Sequence, residues 1–209
     1  MPTAYETAFL AVPERDRGTK NVFYRHVALY GYSVITDAIV DAIVATGATT
    51  IHEIGAGLGY LASLLAAEGL TVVATDIAPP DDGVTWAKTF GDLTRVDTGT
   101  VKYVTVTEMS AVKATTELAA SDTVLCVQHE FDGGWIDTCP AGRVILIQLD
   151  SVQQRDDTEE DTYGRRLAAA GFVLISETDN KLFWTRRADR LQVWEHPARI
   201  RATRSRDRG

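Results

Sequence analysis

The sequence holds only two cysteines, Cys126 and Cys139, and no export signal, so a disulfide-stapled scaffold is excluded and both thiols are expected to be free. Its four histidines (His26, His52, His129 and His196) are scattered without ligand spacing, which disfavours a structural metal. No apolar run approaches the roughly 18–20 residues that a bilayer span needs. The N-terminus, MPTAYETAFLAVPERDRG, lacks a basic start followed by a greasy stretch. A soluble, cytoplasmic protein with no membrane partner is the expectation. What is present suits a globular core: 45% of the 209 residues are hydrophobic and 24% charged, enough for one domain and short appendages.

Positive charge is scarce outside one place. The chain has 21 basic and 29 acidic residues, and five of the arginines (Arg199, Arg201, Arg204, Arg206 and Arg208) lie in the last twelve positions with one acid, Asp207. The rest therefore carries 16 basic and 28 acidic groups, a net charge of −12. So acidic a body repels a nucleic-acid backbone unless a local patch overrides it, which disfavours a nucleic-acid partner.

Hydrophobic periodicity divides the chain into an irregular N-terminal arm (1–20), one domain (21–197) and a basic, disordered tail (198–209). Helical spacing runs from Asn21 to about Thr46, with a break near Gly31, a restart at Thr36-Asp37 and a stop at Gly47. Strands are then expected at Thr49–Ile54, Leu70–Thr75, Val101–Val106, Thr123–Val127 and Arg143–Leu149. Helices are expected at Leu58–Glu68, Ala111–Ala120 and Glu159–Ala170. Phe172–Ser176 and Leu182–Thr185 around Asp179-Asn180 read as a terminal hairpin. Strands alternating with helices predict an α/β fold: a Rossmann-like, doubly wound, seven-stranded sheet, mostly parallel, with one antiparallel strand near the C-terminus.

The most informative segment is TTIHEIGAGLGYLASLLAAEGLTVVATDIA, residues 49–78. A strand enters Glu53-Ile54-Gly55-Ala56-Gly57-Leu58-Gly59 and leaves as a helix, and the next strand ends in Asp76. Glycines permit positive φ and let a ligand lie on bare backbone. In a doubly wound sheet both features fall at the carboxyl edge, where an acid can accept hydrogen bonds from both ribose hydroxyls of an adenosine. A dinucleotide loop would want a glycine where Tyr60 stands, and no lysine or arginine is present to hold phosphate. Glu53 would repel a pyrophosphate but suits a ligand with a cationic amine and a sulfonium. The loop thus favours S-adenosylmethionine over NAD.

These residues resemble the class I S-adenosylmethionine-dependent methyltransferases. Glu53–Gly59 is similar to their first motif and Asp76 to the acid of their second, with Ile77 where a side chain packs on adenine. Residues 122–128, 141–147 and 167–172 are similar to their fourth strand, fifth strand and the helix entering the sixth. The resemblance spans about residues 35–187. Residues 30–35 (YGYSVI), 182–184 and 193–194 are also similar to an uncharacterised methyltransferase-like group that brings no substrate with it. The family implies a cofactor site of Glu53, Gly55, Ala56, Gly57, Gly59, Tyr60, Asp76 and Ile77. Gln128 would lie at the methionine part and Glu108 would be the acid at the adenine amine, with Asp92 or Asp97 as substitutes. Strand four ends in Val127-Gln128-His129-Glu130-Phe131 and lacks the Asn/Asp-Pro-Pro-aromatic signature of base N-methylation.

Methyl transfer needs an aligned nucleophile, and a base when that nucleophile carries a proton. His129 and Glu130 are the candidate bases, against the plainer reading of loop residues making backbone hydrogen bonds. Tyr30 and Trp135 are candidate acceptor contacts; for both, packing into the core is the competing role, as it is for Tyr24, His26 and Tyr32. His52 reads as a satisfied core histidine, and Trp184 and Trp194 as hairpin packing. The function expected is methyl transfer to a small-molecule or protein acceptor. The alternatives are a binding module on the same fold without catalysis, and an NAD-dependent oxidoreductase, for which no Tyr-x-x-x-Lys pair exists.

Overall fold

The computed structural model describes residues 1–17, 19–31, 33–77, 79, 102–127, 134–149, 162–180, 182 and 189–200. The candidates Tyr32, Asp92, Asp97, Gln128, His129, Glu130 and Trp184 lie outside them. Among the described residues seven strands form one sheet in the order β3-β2-β1-β4-β5-β7-β6. The strands are β1 (Thr50–Ile54), β2 (Thr71–Asp76), β3 (Val106–Glu108), β4 (Thr123–Val127), β5 (Arg143–Leu149), β6 (Val173–Asn180) and β7 (Asp189–Glu195). Neighbours pair in parallel except β7, which runs antiparallel to both β5 and β6. The helices are α1 (Ala4–Ala11), α2 (Lys20–Tyr30), α3 (Asp37–Val44), α4 (Tyr60–Ala67), α5 (Ala111–Thr116), α6 (Gly134–Thr138) and α7 (Thr162–Ala169). None of the described helices is long and apolar enough to cross a membrane.

Two hydrophobic clusters follow from the two-residue period of the central strands. Leu125, Ile145 and Ile147 join Tyr5, Phe9, Ile39, Ile43 and Leu65 in one cluster. Val124, Cys126, Val144 and Leu146, the alternate residues, join Trp135, Ile136, Leu167 and Phe172 in the other. Strands covered on both faces read as unbroken apolar runs, which is why β4 and β5 begin and end where the sequence predicts. Neither cysteine is in a disulfide, and both are buried.

Four elements differ from the sequence reading, one of them α6, where the sequence reading predicts no helix. Residues 4–11, expected within an irregular arm, form α1. Thr3 caps it by accepting the Glu6 N–H at 3.0 Å and donates its own hydroxyl to the Ile35 carbonyl. Tyr5 and Phe9, one turn apart, are buried in the first cluster. The closing hairpin is β6 with β7, so Asp179 and Asn180 are strand residues rather than a turn, and Leu182 lies outside any strand. Asn180 is held there by a buried bond from its Nδ2 to the Val34 carbonyl, 2.7 Å. The β3 strand is short and starts at Val106 because residues 103–104 are spent on the glycine loop, with the Tyr103 N–H on the Leu58 carbonyl at 3.2 Å.

The start of the basic tail is also docked. The Arg199 guanidinium donates to the carbonyls of Cys139 and Ala141 and lies over the Phe172 ring. Deleting a buried ring leaves a cavity as well as lost burial. Phe9→Ala is expected to lower stability in denaturant unfolding by about 3–5 kcal/mol, whereas an arm lying loosely on the surface would lose almost nothing.

Candidate functional site

The carboxyl ends of β1 and β2 are tied together by the loop between β1 and α4. Gly55, Gly57 and Gly59 have φ of 71°, 55° and 76°, left-handed values that glycine reaches without steric cost. Ala56 donates its N–H to the Thr75 carbonyl at 3.0 Å, and Gly57 donates to Asp76 Oδ2 at 2.9 Å. The Gly59 N–H closes the turn on the Ala56 carbonyl at 2.8 Å. Asp76 is therefore brought onto the glycine loop, as expected of an acid one strand over. Glu108 is its register partner on β3, and Met109 donates to the Asp76 carbonyl at 2.8 Å. Ile77, the next residue of the chain, is 68% exposed.

Helix α4 starts on Gly59, which has no side chain to cap it. Glu53 supplies the missing acceptor: a carboxyl oxygen takes the backbone N–H of Ala62 in the first turn. That partner does not offset desolvation. Glu53 is 2% exposed, and burial pushes its carboxyl up to about 8, against the Ala62 bond and helped by the charge of Asp76. Among the described residues its Oε2 meets no hydrogen-bond partner. A buried carboxyl oxygen left without a donor is costly, and a cationic group brought beside it would satisfy it.

The third glycine has a second role within the protein itself. A Cβ at Gly59 would collide with the Val104 side chain and come within 3.2 Å of Val106 Cγ2. Its bareness therefore admits the segment leading into β3. Tyr60, predicted as a cofactor contact, has its side chain in the first core cluster, where its hydroxyl accepts the Tyr5 N–H at 2.9 Å. Tyr30, a candidate acceptor contact, is half-buried at the end of α2; its ring stacks on Tyr5 at 4.7 Å and meets the Tyr60 edge at 5.0 Å. Tyr103 closes the group, 5.0 Å from Tyr60. Trp135, the other candidate acceptor contact, is fully buried in the second cluster.

Among the described residues, His26 and His52 make local contacts. His26 Nδ1 is 2.8 Å from the Val22 carbonyl within α2. His52 Nε2 lies 3.7 Å from Asp122, and burial lowers its pKa against the pull of that acid. Among the described residues no group of three or more His, Cys, Asp or Glu could hold a metal ion. Sequence reasoning missed Asp189 at the start of β7, which is 2% exposed and pushed up to about 7 by burial despite a hydrogen bond from Ser33. A lone aspartate opening the alternating stretch DRLQVWE was the only signal available.

Two measurements test this geometry. Gly59→Ala combines a left-handed φ with the Val104 collision and is expected to cost about 1–3 kcal/mol in denaturant unfolding. Glu53 holds its proton up to about 8 in the folded chain, against an ordinary value of 4.5 when unfolded. Its contribution to stability is complete below pH 4.5 and is lost as pH rises through 8. Glu53→Gln should therefore flatten the fall in unfolding free energy between about pH 5 and pH 8; a slope identical to that of the unsubstituted protein would contradict the burial argument.

No family model matches the sequence, and no curated relative matches it. Solved structures do resemble the fold. Magnesium protoporphyrin IX methyltransferase from Synechocystis PCC 6803, crystallised with S-adenosylmethionine, superposes with a TM-score of 0.52 at 17% identity, covering 87% of this chain and 94% of that one. The Burkholderia thailandensis 1,6-didemethyltoxoflavin-N1-methyltransferase, crystallised with 1,6-didemethyltoxoflavin and S-adenosylhomocysteine, gives 0.50 at 17% identity over 75% of this chain and 76% of that one. Sheet order, the single antiparallel strand and these superpositions agree: the chain has the class I S-adenosylmethionine-dependent methyltransferase fold.

Proposed function

We propose that the protein is an S-adenosylmethionine-dependent methyltransferase. The observation that carries this reading is the joining of Asp76 to the glycine loop through Gly57, which sets a carboxylate and bare backbone side by side at the carboxyl edge of the sheet. The residues fit the cofactor chemically. Asp76 would accept from the ribose hydroxyls, and Gly55, Ala56, Gly57 and Gly59 would line the approach with main chain. Exposed Ile77 offers an apolar surface to adenine, and Glu108, beside Asp76, an acceptor for the adenine amine. The unpartnered Glu53 Oε2 answers a cationic amine, with Gln128 completing the methionine end. When bound, the cofactor supplies a methyl group already activated by its sulfonium.

The chain's own part is to align the acceptor and remove its proton. Gln128, His129 and Glu130 directly follow β4, the strand beside β1, so His129 is the proposed base and Glu130 the second candidate. Tyr30 is the proposed acceptor contact beside the loop. The Tyr60 and Trp135 side chains are taken up by core packing, so the parts proposed for them act through backbone placement and support of the crevice. The acceptor we favour is a small molecule. The two neighbours above are named for small-molecule substrates, and a body charge of −12 opposes a nucleic acid. A protein acceptor stands second.

Calorimetry with S-adenosylhomocysteine tests the reading. A micromolar Kd, about −8 kcal/mol, is expected, and Asp76→Ala should weaken it at least about tenfold, since hydrogen bonds to a charged acceptor contribute about 1.5–3 kcal/mol each. Glu53 is mostly protonated at neutral pH, and a cation beside it favours the ionised form, so binding at pH 7 should release a proton. The apparent enthalpy should then differ between buffers of different ionisation enthalpy, and Glu53→Gln should erase that difference. Absence of heat with both S-adenosylmethionine and S-adenosylhomocysteine would refute the assignment.

A further inference from the structure

The YGYSVI stretch plays no part in the glycine loop, yet its described residues are clamped from two separate parts of the chain. From the N-terminus, the Tyr5 hydroxyl donates to the Gly31 carbonyl at 2.9 Å and the Thr3 hydroxyl to the Ile35 carbonyl. From the hairpin, Asn180 Nδ2 donates to the Val34 carbonyl at 2.7 Å, and the Ser33 hydroxyl donates to the Asp189 carboxyl. Asn180 and Asp189 are register partners across β6 and β7, only 3% and 2% exposed. Apolar residues would bury more cheaply at such positions, since a polar group out of water costs free energy unless its bonds are well formed. What these two provide instead is direction: their bonds define where one loop must lie.

That loop leads straight back to Tyr30. The Tyr30 ring packs face to face on Tyr5 and against the edge of Tyr60, the first residue of α4 after Gly59. A continuous chain of contacts thus runs from the hairpin to the junction of glycine loop and helix, although β7 stands three places from β1 in the sheet. Among the described residues the path runs from Val34 along the backbone to Ile35, across to Thr3, along α1 to Tyr5 and from its ring to Tyr30, bonds and ring pairs joined by short stretches of chain, the kind of packed path through which a displacement at one end can alter the other.

We infer that Asn180 and Asp189 are positioning residues for the cofactor crevice: by seating Ser33 and Val34, and with them Ile35 on Thr3, they hold Tyr30 against Tyr60 and keep the start of α4 in its binding geometry. The ligand readout of this inference rests on the methyltransferase reading; its exchange readout does not.

The test combines S-adenosylhomocysteine titration with hydrogen exchange on the ligand-free full chain. Asp189→Ala and Asn180→Ala are expected to bind S-adenosylhomocysteine about five- to tenfold more weakly, with faster exchange at residues 28–40 and 56–64 together. Asp189→Asn keeps an oxygen to accept from Ser33 and should stay within about twofold of the unsubstituted protein. Val173→Ala, at an exposed position of the same hairpin, should change neither readout. Affinities within twofold for both alanine variants, or faster exchange confined to residues 173–195, would overturn the inference. If the alanine variants do not fold, Ser33→Ala removes the same bond from the loop side and carries the same expectations. Should the unsubstituted protein bind no S-adenosylhomocysteine, the methyltransferase reading falls, and the exchange pattern alone decides this one.

Discussion

Gly57 donates its backbone N–H to Asp76 across the gap between the ends of β1 and β2, and most of the crevice geometry depends on that bond. It joins a loop that only glycines can follow to a carboxylate on the next strand. The Ala56 N–H on the Thr75 carbonyl and the Thr75 hydroxyl on the Glu53 carbonyl link the same two ends, but neither engages the Asp76 carboxylate. The bond also fixes which way the carboxylate faces, so Asp76 lies along the loop. Glu108 and Met109 extend the same arrangement one strand further, through register with Asp76 and a bond to its carbonyl.

The crevice is built at the expense of the helix that follows it. A capping side chain would normally hold the first turn of α4, but Gly59 has none, and the positive φ there combined with the closeness of Val104 forbids one. Glu53 takes over from inside the sheet, which places an acid where water cannot solvate it. Proteins tolerate such unfavourable groups mainly where a ligand will meet them. Two features that look independent in the sequence, the third glycine and the acid before the first, are thus parts of one arrangement. The glycine requires an outside cap, and the cap leaves a carboxyl oxygen unpartnered beside the loop.

The sequence made the central part of this architecture legible because burial there is two-sided. β4 and β5 are continuous apolar runs, β1 and β2 are bounded by a glycine loop and an acid, and Thr36 announces α3 by capping it. Legibility fails where a tertiary partner decides the local structure. α1 carries only a short signal of its own: Thr3 and Glu6 have the spacing of a capping box, and Tyr5 and Phe9 are one helical turn apart. β6 lies at the edge of the sheet, with Val173, Leu174 and Ile175 all exposed, so it has no alternation to detect. Asp179-Asn180 has turn chemistry, yet Asn180 finds its partner on a loop 146 residues earlier in the chain. Nothing local encodes that. Of the candidate site, Glu53, the three glycines and Asp76 were legible from spacing alone, and the structure brings them together. Burial of the Tyr60 side chain was not, and for Trp135 core packing and acceptor contact stood even, because a ring beside a loop and a ring under it have the same sequence signature.

The division of labour between the two faces of the sheet follows from the same constraints. The face carrying Trp135, Cys126 and Leu146 is an apolar cluster, closed from the tail side by Arg199 over Phe172. The other face mixes an apolar floor with hydroxyls, carboxyls and stacked tyrosines, and the described polar groups beside the glycine loop gather there. A purely apolar interior tolerates many repackings of similar energy, whereas directional bonds select one. Glu53, Ser33, Asn180 and Asp189 all belong to this second face, where the start of α4 has to be held in a single position. Their burial lowers stability in exchange for that definition, and the apolar cluster opposite, with its unbroken strands, is the part of the fold able to sustain the loss.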